Sequence, residues 1–281
     1  MKLFVFGFGY TSQRFVDLFG EMFATISGTV RETDKRDTLH ARGLDVYLFD
    51  RSDDALRARI ANADVILVSV PPGRAGDPVL AAFSLDIAAS TATRVIYLST
   101  IGVYGNHDGA WIDEDTPLAP QVERAQARIA AEQHWRDLVG DRLSILRLAG
   151  IYGPGRSPLT KLRDGTARRI VKPGQVFNRI HVDDAASAIK AAIALPHGGA
   201  WNVCDDEPAP PQDVVAYAAS LMKLTPPPEQ DFATAEMTPM GRSFYATSNR
   251  VSNARLKNEL GVTLTFPTYR EGLSSLLDAH D

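Results

Sequence analysis

The chain has 281 residues, 44% hydrophobic and 23% charged, with 30 Lys and Arg against 34 Asp and Glu for a formal net charge of -4. That is the balance of a globular protein long enough to bury its own core, and it excludes a general phosphate-backbone binder, which carries a basic surplus. The longest charge-free stretch, Ala191 to Cys204, is 14 residues and contains Pro196 and two glycines, short of the about 18 apolar residues a membrane span needs. A lone Cys204 offers neither an internal disulfide nor a cysteine metal site, and no His cluster has metal-ligand spacing. The expectations are a cytoplasmic protein without nucleic-acid, membrane or metal partners.

Apolar runs of strand length recur at Leu3 to Gly7, Phe23 to Val30, Val46 to Phe49, Val65 to Val70, Val95 to Leu98 and Ser144 to Leu148, with helically spaced segments between them. The opening Met1 to Phe6 runs straight into a glycine motif, so it reads as a buried first strand and not as a signal peptide. Continuous apolar runs alternating with helices predict an α/β fold, a doubly wound parallel Rossmann sheet covered on both faces. The predicted Rossmann domain is 1–155. After Tyr152-Gly153-Pro154-Gly155 the regular alternation is lost. The rest, 156–281, reads as a smaller C-terminal lobe, with about 177–206 returning to the sheet through a helix at Asp183 to Leu195 and a strand at Trp201 to Cys204.

Gly7-Phe8-Gly9-Tyr10-Thr11-Ser12 follows the first strand and opens a helix over Gln13 to Phe19. The spacing is G-x-G-x-x-S. The first glycine allows the tight turn, and the second lets the backbone approach a pyrophosphate on the helix N-terminus. Ser12 replaces the third glycine, which governs helix packing. About 20 residues on, where NAD-binding chains carry an acid for the ribose hydroxyls, the first side chain after the strand is Arg31, with Glu32 and Asp34 close behind. A guanidinium cannot accept a ribose hydroxyl but binds a 2′-phosphate, which favours NADP, with NAD as the alternative. Asp50, after the third strand, is placed either to contact the adenine or as a surface carboxylate.

Tyr97-Leu98-Ser99-Thr100-Ile101-Gly102-Val103-Tyr104-Gly105, then Arg147 to Gly155, then Arg179-Ile180-His181-Val182-Asp183-Asp184 follow in order. Together they resemble the extended and atypical branches of the short-chain dehydrogenase/reductases, which include NAD(P)-dependent epimerases, dehydratases and reductases. The resemblance runs from Gly7 to about Asp206. It implies that Gly7, Gly9, Tyr10, Thr11 and Ser12 hold the pyrophosphate and that Val70 and Ser99 line the cofactor. It further implies that Gly150, Ile151 and Tyr152 line the nicotinamide, and that Thr100 stands for the catalytic Ser/Thr.

One motif departs from the family. Its Tyr-x-x-x-Lys pair is replaced by Arg124 and Arg128. Arginine stays charged at neutral pH and cannot exchange the proton that the tyrosine would. Arg124 can bind a substrate anion, stabilise an oxyanion or be a solvated helix residue; Arg128 can hold ribose hydroxyls. Tyr104, Tyr152, His181 and Thr100 are the remaining candidates for proton transfer, and each has a competing structural role. Asp183 and Asp184 read as helix caps. The basic run from Lys161 to Lys172 is either an anion site or a charged surface helix.

The sequence therefore implies an NAD(P)-dependent oxidoreductase of the atypical type, acting on a small, anionic substrate as monomer or homodimer. The alternatives are a non-catalytic dinucleotide sensor or a sugar-nucleotide epimerase/dehydratase.

Overall fold

The computed structural model describes residues 1–49 and 54–278. Strands run over Lys2–Phe6 (β1), Thr25–Val30 (β2), Asp45–Leu48 (β3), Val65–Val68 (β4), Arg94–Thr100 (β5), Trp111–Ile112 (β6), Leu143–Leu148 (β7), Gly150–Tyr152 (β8), Arg169–Val171 (β9), Arg179–His181 (β10), Gly199–Val203 (β11), Glu229–Asp231 (β12) and Arg250–Val251 (β13). Helices run over Tyr10–Phe19 (α1), Thr33–Ala41 (α2), Asp54–Ala61 (α3), Pro78–Ala88 (α4), Glu123–Val139 (α5), Pro158–Arg163 (α6), Val182–Ala194 (α7), Pro211–Leu221 (α8), Pro239–Ser243 (α9), Ala254–Asn258 (α10) and Tyr269–Asp278 (α11). No helix among the described residues is long and apolar enough to cross a membrane.

The chain divides into two compact units. Unit 1 comprises Met1–Thr100, Glu123–Arg147 and Ala186–Trp201; unit 2 comprises Ile101–Val122, Leu148–Ala185 and Asn202–Asp281. Residues 101–122, which fall inside the first domain on the sequence reading, thus belong to unit 2, and 186–201 return to unit 1.

Unit 1 is built on a seven-stranded sheet in the order β11-β7-β5-β4-β1-β2-β3, the doubly wound Rossmann arrangement. β1 pairs in parallel with β2 and β4, β2 with β3, and β4 with β5. Successive strand side chains face opposite ways. Phe4, Phe6, Val68, Val95 and Tyr97 accordingly pack with Leu56 and Ile60 of α3, Val79, Phe83 and Ile87 of α4, and Trp135 of α5. On α1, Phe15 packs against the rings of Phe19 and Phe23, and Lys190 of α7 lies 4.8 Å over the Phe19 ring. α4 starts where a buried Asp77 caps the N–H groups of Val79 and Leu80, with Pro78 in the first turn, where its missing N–H costs nothing.

Unit 2 has no extended sheet among the described residues. It uses short parallel pairs, β8 with β10, β9 with β12 and β6 with β13. Its main core gathers Tyr152, Leu159, Val214, Ala218, Tyr269 and Leu273, and a second cluster gathers Ile170, Ala235 and Tyr245.

Candidate functional site

In unit 1 the strand order reverses between β1 and β4, with β2 and β3 leaving on one side and β5, β7 and β11 on the other. Ligands of open α/β sheets bind at such a switch point, beyond the carboxyl ends of the strands. At this edge the chain presents Gly7 after β1, Arg31 after β2, Ser69 and Val70 after β4, and Ser99 and Thr100 at the end of β5.

The glycine turn is held from below. Gly7 has a φ of +88°, and a Cβ there would lie 2.9 Å from Val70 Cγ2, so the position admits no side chain without strain. Thr29, fully buried on β2, accepts the Gly7 N–H on its Oγ1 (3.3 Å) and the Phe8 N–H on its carbonyl (3.1 Å). Its neighbour Gly28 must be a glycine for a different reason. A Cβ there would collide with the Val5 carbonyl and come within 2.6 Å of the Phe8 ring. Neither Thr29 nor Gly28 was among the residues predicted for the site; a glycine in the middle of an otherwise β-branched run was the available signal.

α1 begins immediately after Gly9 with no side-chain cap and no acid in its first turn. The positive end of its dipole and its first N–H groups are thus directed at the turn, the arrangement that binds phosphate. Gln13 ties the helix to the turn by donating to the Phe8 carbonyl at 3.1 Å. Thr11 and Ser12 are buried and Tyr10 is half-buried. Ser12 Oγ is enclosed without a hydrogen-bond partner among the described residues. The uncapped helix, the cradle that a Cβ at Gly7 would fill, and this orphaned hydroxyl together fit a dinucleotide pyrophosphate.

Arg31 is exposed, and its side chain makes no ion pair or hydrogen bond among the described residues. Glu32 stands at the N-cap of α2 without making a cap bond, and Asp34 lies in the first turn of that helix. Neither acid neutralises Arg31 by contact. Asp50 lies outside the described residues.

Around the end of β5 the structure corrects one assignment. Ser99 does not turn its hydroxyl to the cofactor edge; it is buried and donates to Glu132 Oε1 at 2.5 Å. Glu132, with no exposed surface, also receives Arg147 through Nη2 (2.9 Å) and Nε (3.3 Å), and Arg136 at 3.4 Å. Thr100, one residue on, is half-buried. Arg128 is fixed from two sides. Its Nη1 donates to the Leu98 carbonyl (2.9 Å) and the Tyr97 hydroxyl (3.1 Å), and its guanidinium lies 5.4 Å over the Tyr97 ring. Burial pushes the Tyr97 phenol well above its usual range, with Arg128 pulling the other way. Arg124 is exposed one turn earlier on α5. Near the end of β5, at Tyr97 and Leu98, the strand therefore carries a fixed positive charge.

Unit 2 holds the other predicted residues. Tyr104 has no exposed surface and donates to Asn202 Oδ1 at 2.7 Å, a bond that braces the fold. Gly150, Ile151 and Tyr152 form β8, in register with Arg179, Ile180 and His181. Tyr152 is buried edge-on against His181, with ring centroids 5.2 Å apart, and desolvation pushes its phenol far up. His181 is also buried; its Nδ1 accepts the Asp183 N–H at 3.3 Å and its ring packs 4.1 Å from Phe266.

Asp184 is not a helix cap. Its carboxylate, also fully buried, accepts the N–H groups of Thr265 (2.8 Å) and Phe266 (3.0 Å), and burial raises its pKa against those bonds. The basic run is largely spent on cross-links. Arg168 reaches Gln230 and the Glu236 carbonyl, Arg169 pairs with Glu229 at 2.7 Å, and Lys172 donates to the Tyr245 carbonyl.

Residues 79–204 match the model of the NAD dependent epimerase/dehydratase family. The chain is similar to protein YeeZ of Escherichia coli (strain K12), 28% identical over 258 residues that cover 86% of this chain and 88% of that protein. It is also similar to a 3-diazoavenalumate denitrifying reductase of a Streptomyces species, 31% identical over 184 residues, 58% of each chain. Among solved structures, a functionally unknown conserved protein from Silicibacter pomeroyi DSS matches with a TM-score of 0.92 and 48% identity, over 99% of this chain and 98% of that one.

Proposed function

We propose that the chain is an epimerase/dehydratase-like member of the short-chain dehydrogenase/reductase superfamily, and within it an NADP-dependent oxidoreductase acting on a small anionic substrate. The observation that carries the choice of NADP is Arg31, an exposed cation without a protein partner among the described residues, at the end of β2. A 2′-phosphate there gains paired charge-assisted hydrogen bonds, which a ribose hydroxyl cannot provide. The uncapped N-terminus of α1 supports the pyrophosphate between Gly7 and Ser12. A bound nicotinamide supplies the hydride chemistry.

The chain's own groups have the remaining tasks. The Thr100 hydroxyl donates to the reacting oxygen of the substrate. Arg128, locked against Leu98 and Tyr97, supplies positive charge without releasing a proton. Arg124 binds the substrate's anionic group. The reductase among the relatives supports a reductive direction.

Calorimetric titration of the purified protein with NADP+ and NAD+, with Arg31→Ala alongside, tests this reading. NADP+ is expected to bind more tightly than NAD+, and Arg31→Ala to weaken NADP+ tenfold or more, about 1.4 kcal/mol per decade, while leaving NAD+ nearly unchanged. Equal loss for both nucleotides, or binding of neither, refutes it. Tight NADP+ binding with no turnover on any carbonyl or anionic substrate supports the sensor reading instead.

A further inference from the structure

The connection after β4, residues 71–77, leaves the sheet at the switch-point edge and carries Arg74. It is a rigid loop. Gly73 and Gly76 exchange both backbone hydrogen bonds, at 2.9 and 3.1 Å. Asp77, which closes the loop, is buried and receives the indole N–H of Trp135 from α5 at 2.9 Å as well as the cap bond from Val79. From this fixed base Arg74 extends almost wholly into solvent, its side chain 87% exposed, and its Nε meets Glu123 Oε1 at 3.1 Å. Glu123 opens α5 and directly precedes Arg124.

An ion pair this exposed contributes little to stability. A ligand carboxylate or phosphate can therefore take the place of Glu123 at small cost and gain two parallel N–H bonds from the guanidinium. We propose that Arg74 is a specificity residue of the substrate site, that Glu123 is the internal stand-in for the ligand's anion, and that the substrate bears a carboxylate or phosphate reaching from Arg124 to Arg74. This rests on the oxidoreductase reading for the identity of the site, but the anion seat itself needs no bound nucleotide.

The test titrates malonate and, separately, inorganic phosphate into wild type, Arg74→Ala and Glu123→Gln, each with and without NADP+. Glu123→Gln is expected to bind the preferred anion more tightly, by up to about fivefold, the whole worth of an exposed pair. Arg74→Ala is expected to weaken it severalfold, up to about fivefold, the limit for a contact on an exposed guanidinium. The double variant should match Arg74→Ala, and all variants should keep wild-type NADP+ affinity. The preference between malonate and phosphate identifies the anion. An Arg74→Ala protein that binds both anions as wild type does, a Glu123→Gln protein that binds more weakly, or no anion binding by wild type overturns the proposal. Loss of NADP+ binding in every protein, with the anion pattern intact, overturns only the cofactor reading.

Discussion

Replacing Glu132 with Gln isolates the most consequential buried charge in unit 1. Glu132 is fully buried on α5 and takes hydrogen bonds from Ser99 on β5 and from two nitrogens of Arg147 on β7, whose side chain is only 4% exposed. The amide would keep the shape of the carboxylate but take from the buried Arg147 guanidinium the negative charge of Glu132 that it pairs with. Breaking one side of a buried pair costs about 3–5 kcal/mol, a large part of the 5–15 kcal/mol that roughly bounds a folded domain.

The decisive comparison is with Glu132→Leu/Arg147→Met. Removing both charges eliminates the desolvation of two ions, so the residual cost is that of the orphaned Ser99 hydroxyl, about 1–3 kcal/mol. Two substitutions should therefore destabilise less than one. Urea unfolding at pH 7, followed by far-ultraviolet circular dichroism, measures both, and the double-mutant cycle gives the coupling. A Glu132→Gln protein that loses less than about 1 kcal/mol, or a double variant at least as unstable as the single, refutes the reasoning.

Gly7→Ala forces a Cβ to 2.9 Å from Val70 Cγ2 at a φ of +88°; the expected cost is about 1–3 kcal/mol in the same unfolding assay, together with at least a tenfold loss of NADP+ affinity by calorimetry. Gly28→Ala should be worse, because its Cβ meets the β1 backbone at Val5, which cannot move aside as the Val70 side chain can, and its unfolding midpoint should fall below that of Gly7→Ala. Burial raises the Asp205 carboxyl to about 8, against the opposing pull of Arg179, whereas the unfolded group titrates near about 3.9. Between those values the native state holds a proton that the unfolded state has released, so this contribution to stability is complete below about pH 4 and is lost as pH rises to about 8, at up to about 1.4 kcal/mol per unit. Asp205→Asn should flatten that decline in urea unfolding between pH 5 and pH 9; an unchanged slope would count against it.

The strand runs and the glycine turn were legible because both are local. Leu3 to Gly7, Val65 to Val70 and Ser144 to Leu148 each fall within two residues of the observed strands, since a continuous apolar run bounded by polar residues needs no distant partner to be recognised. The face a strand residue takes is another matter. In a sheet covered on both sides both faces are apolar, so the pattern no longer says which way a polar residue points. Ser99 and Thr100 are adjacent, and the sequence assigned both to the site; the alternation of the strand turns Ser99 in to Glu132 and leaves Thr100 half-buried. Apart from Arg136 one turn along α5, the partners of Glu132 and Asp184 lie 15 to 82 residues away along the chain, beyond any spacing rule. Asp184 illustrates the consequence: its position at a helix start suggests a cap, and only the return of Thr265 and Phe266 shows what the carboxylate holds.

The charge distribution of unit 1 bears on what its ligand edge can recruit. The chain as a whole is acidic at -4, yet Arg31 follows β2, Arg74 follows β4, and Arg124 and Arg128 occupy the first two turns of α5. Among the acids close in sequence, Glu123 contacts Arg74, while Glu32 and Asp34 leave Arg31 without an ion pair among the described residues. Positive charge gathered on one edge of an otherwise negative molecule attracts anions to that edge and repels them elsewhere, and the attraction fades as salt shortens the screening length to about 8 Å at 0.15 M. On the proposed reading both ligands are anions, and their association should slow as ionic strength rises. Arg128, partly sheltered against Tyr97, is screened least and keeps its influence once the ligand is seated, whereas exposed Arg74 acts mainly on capture. Replacing Arg74 should therefore reduce the salt dependence of anion binding, and replacing Arg128 should lower affinity while leaving that dependence largely intact.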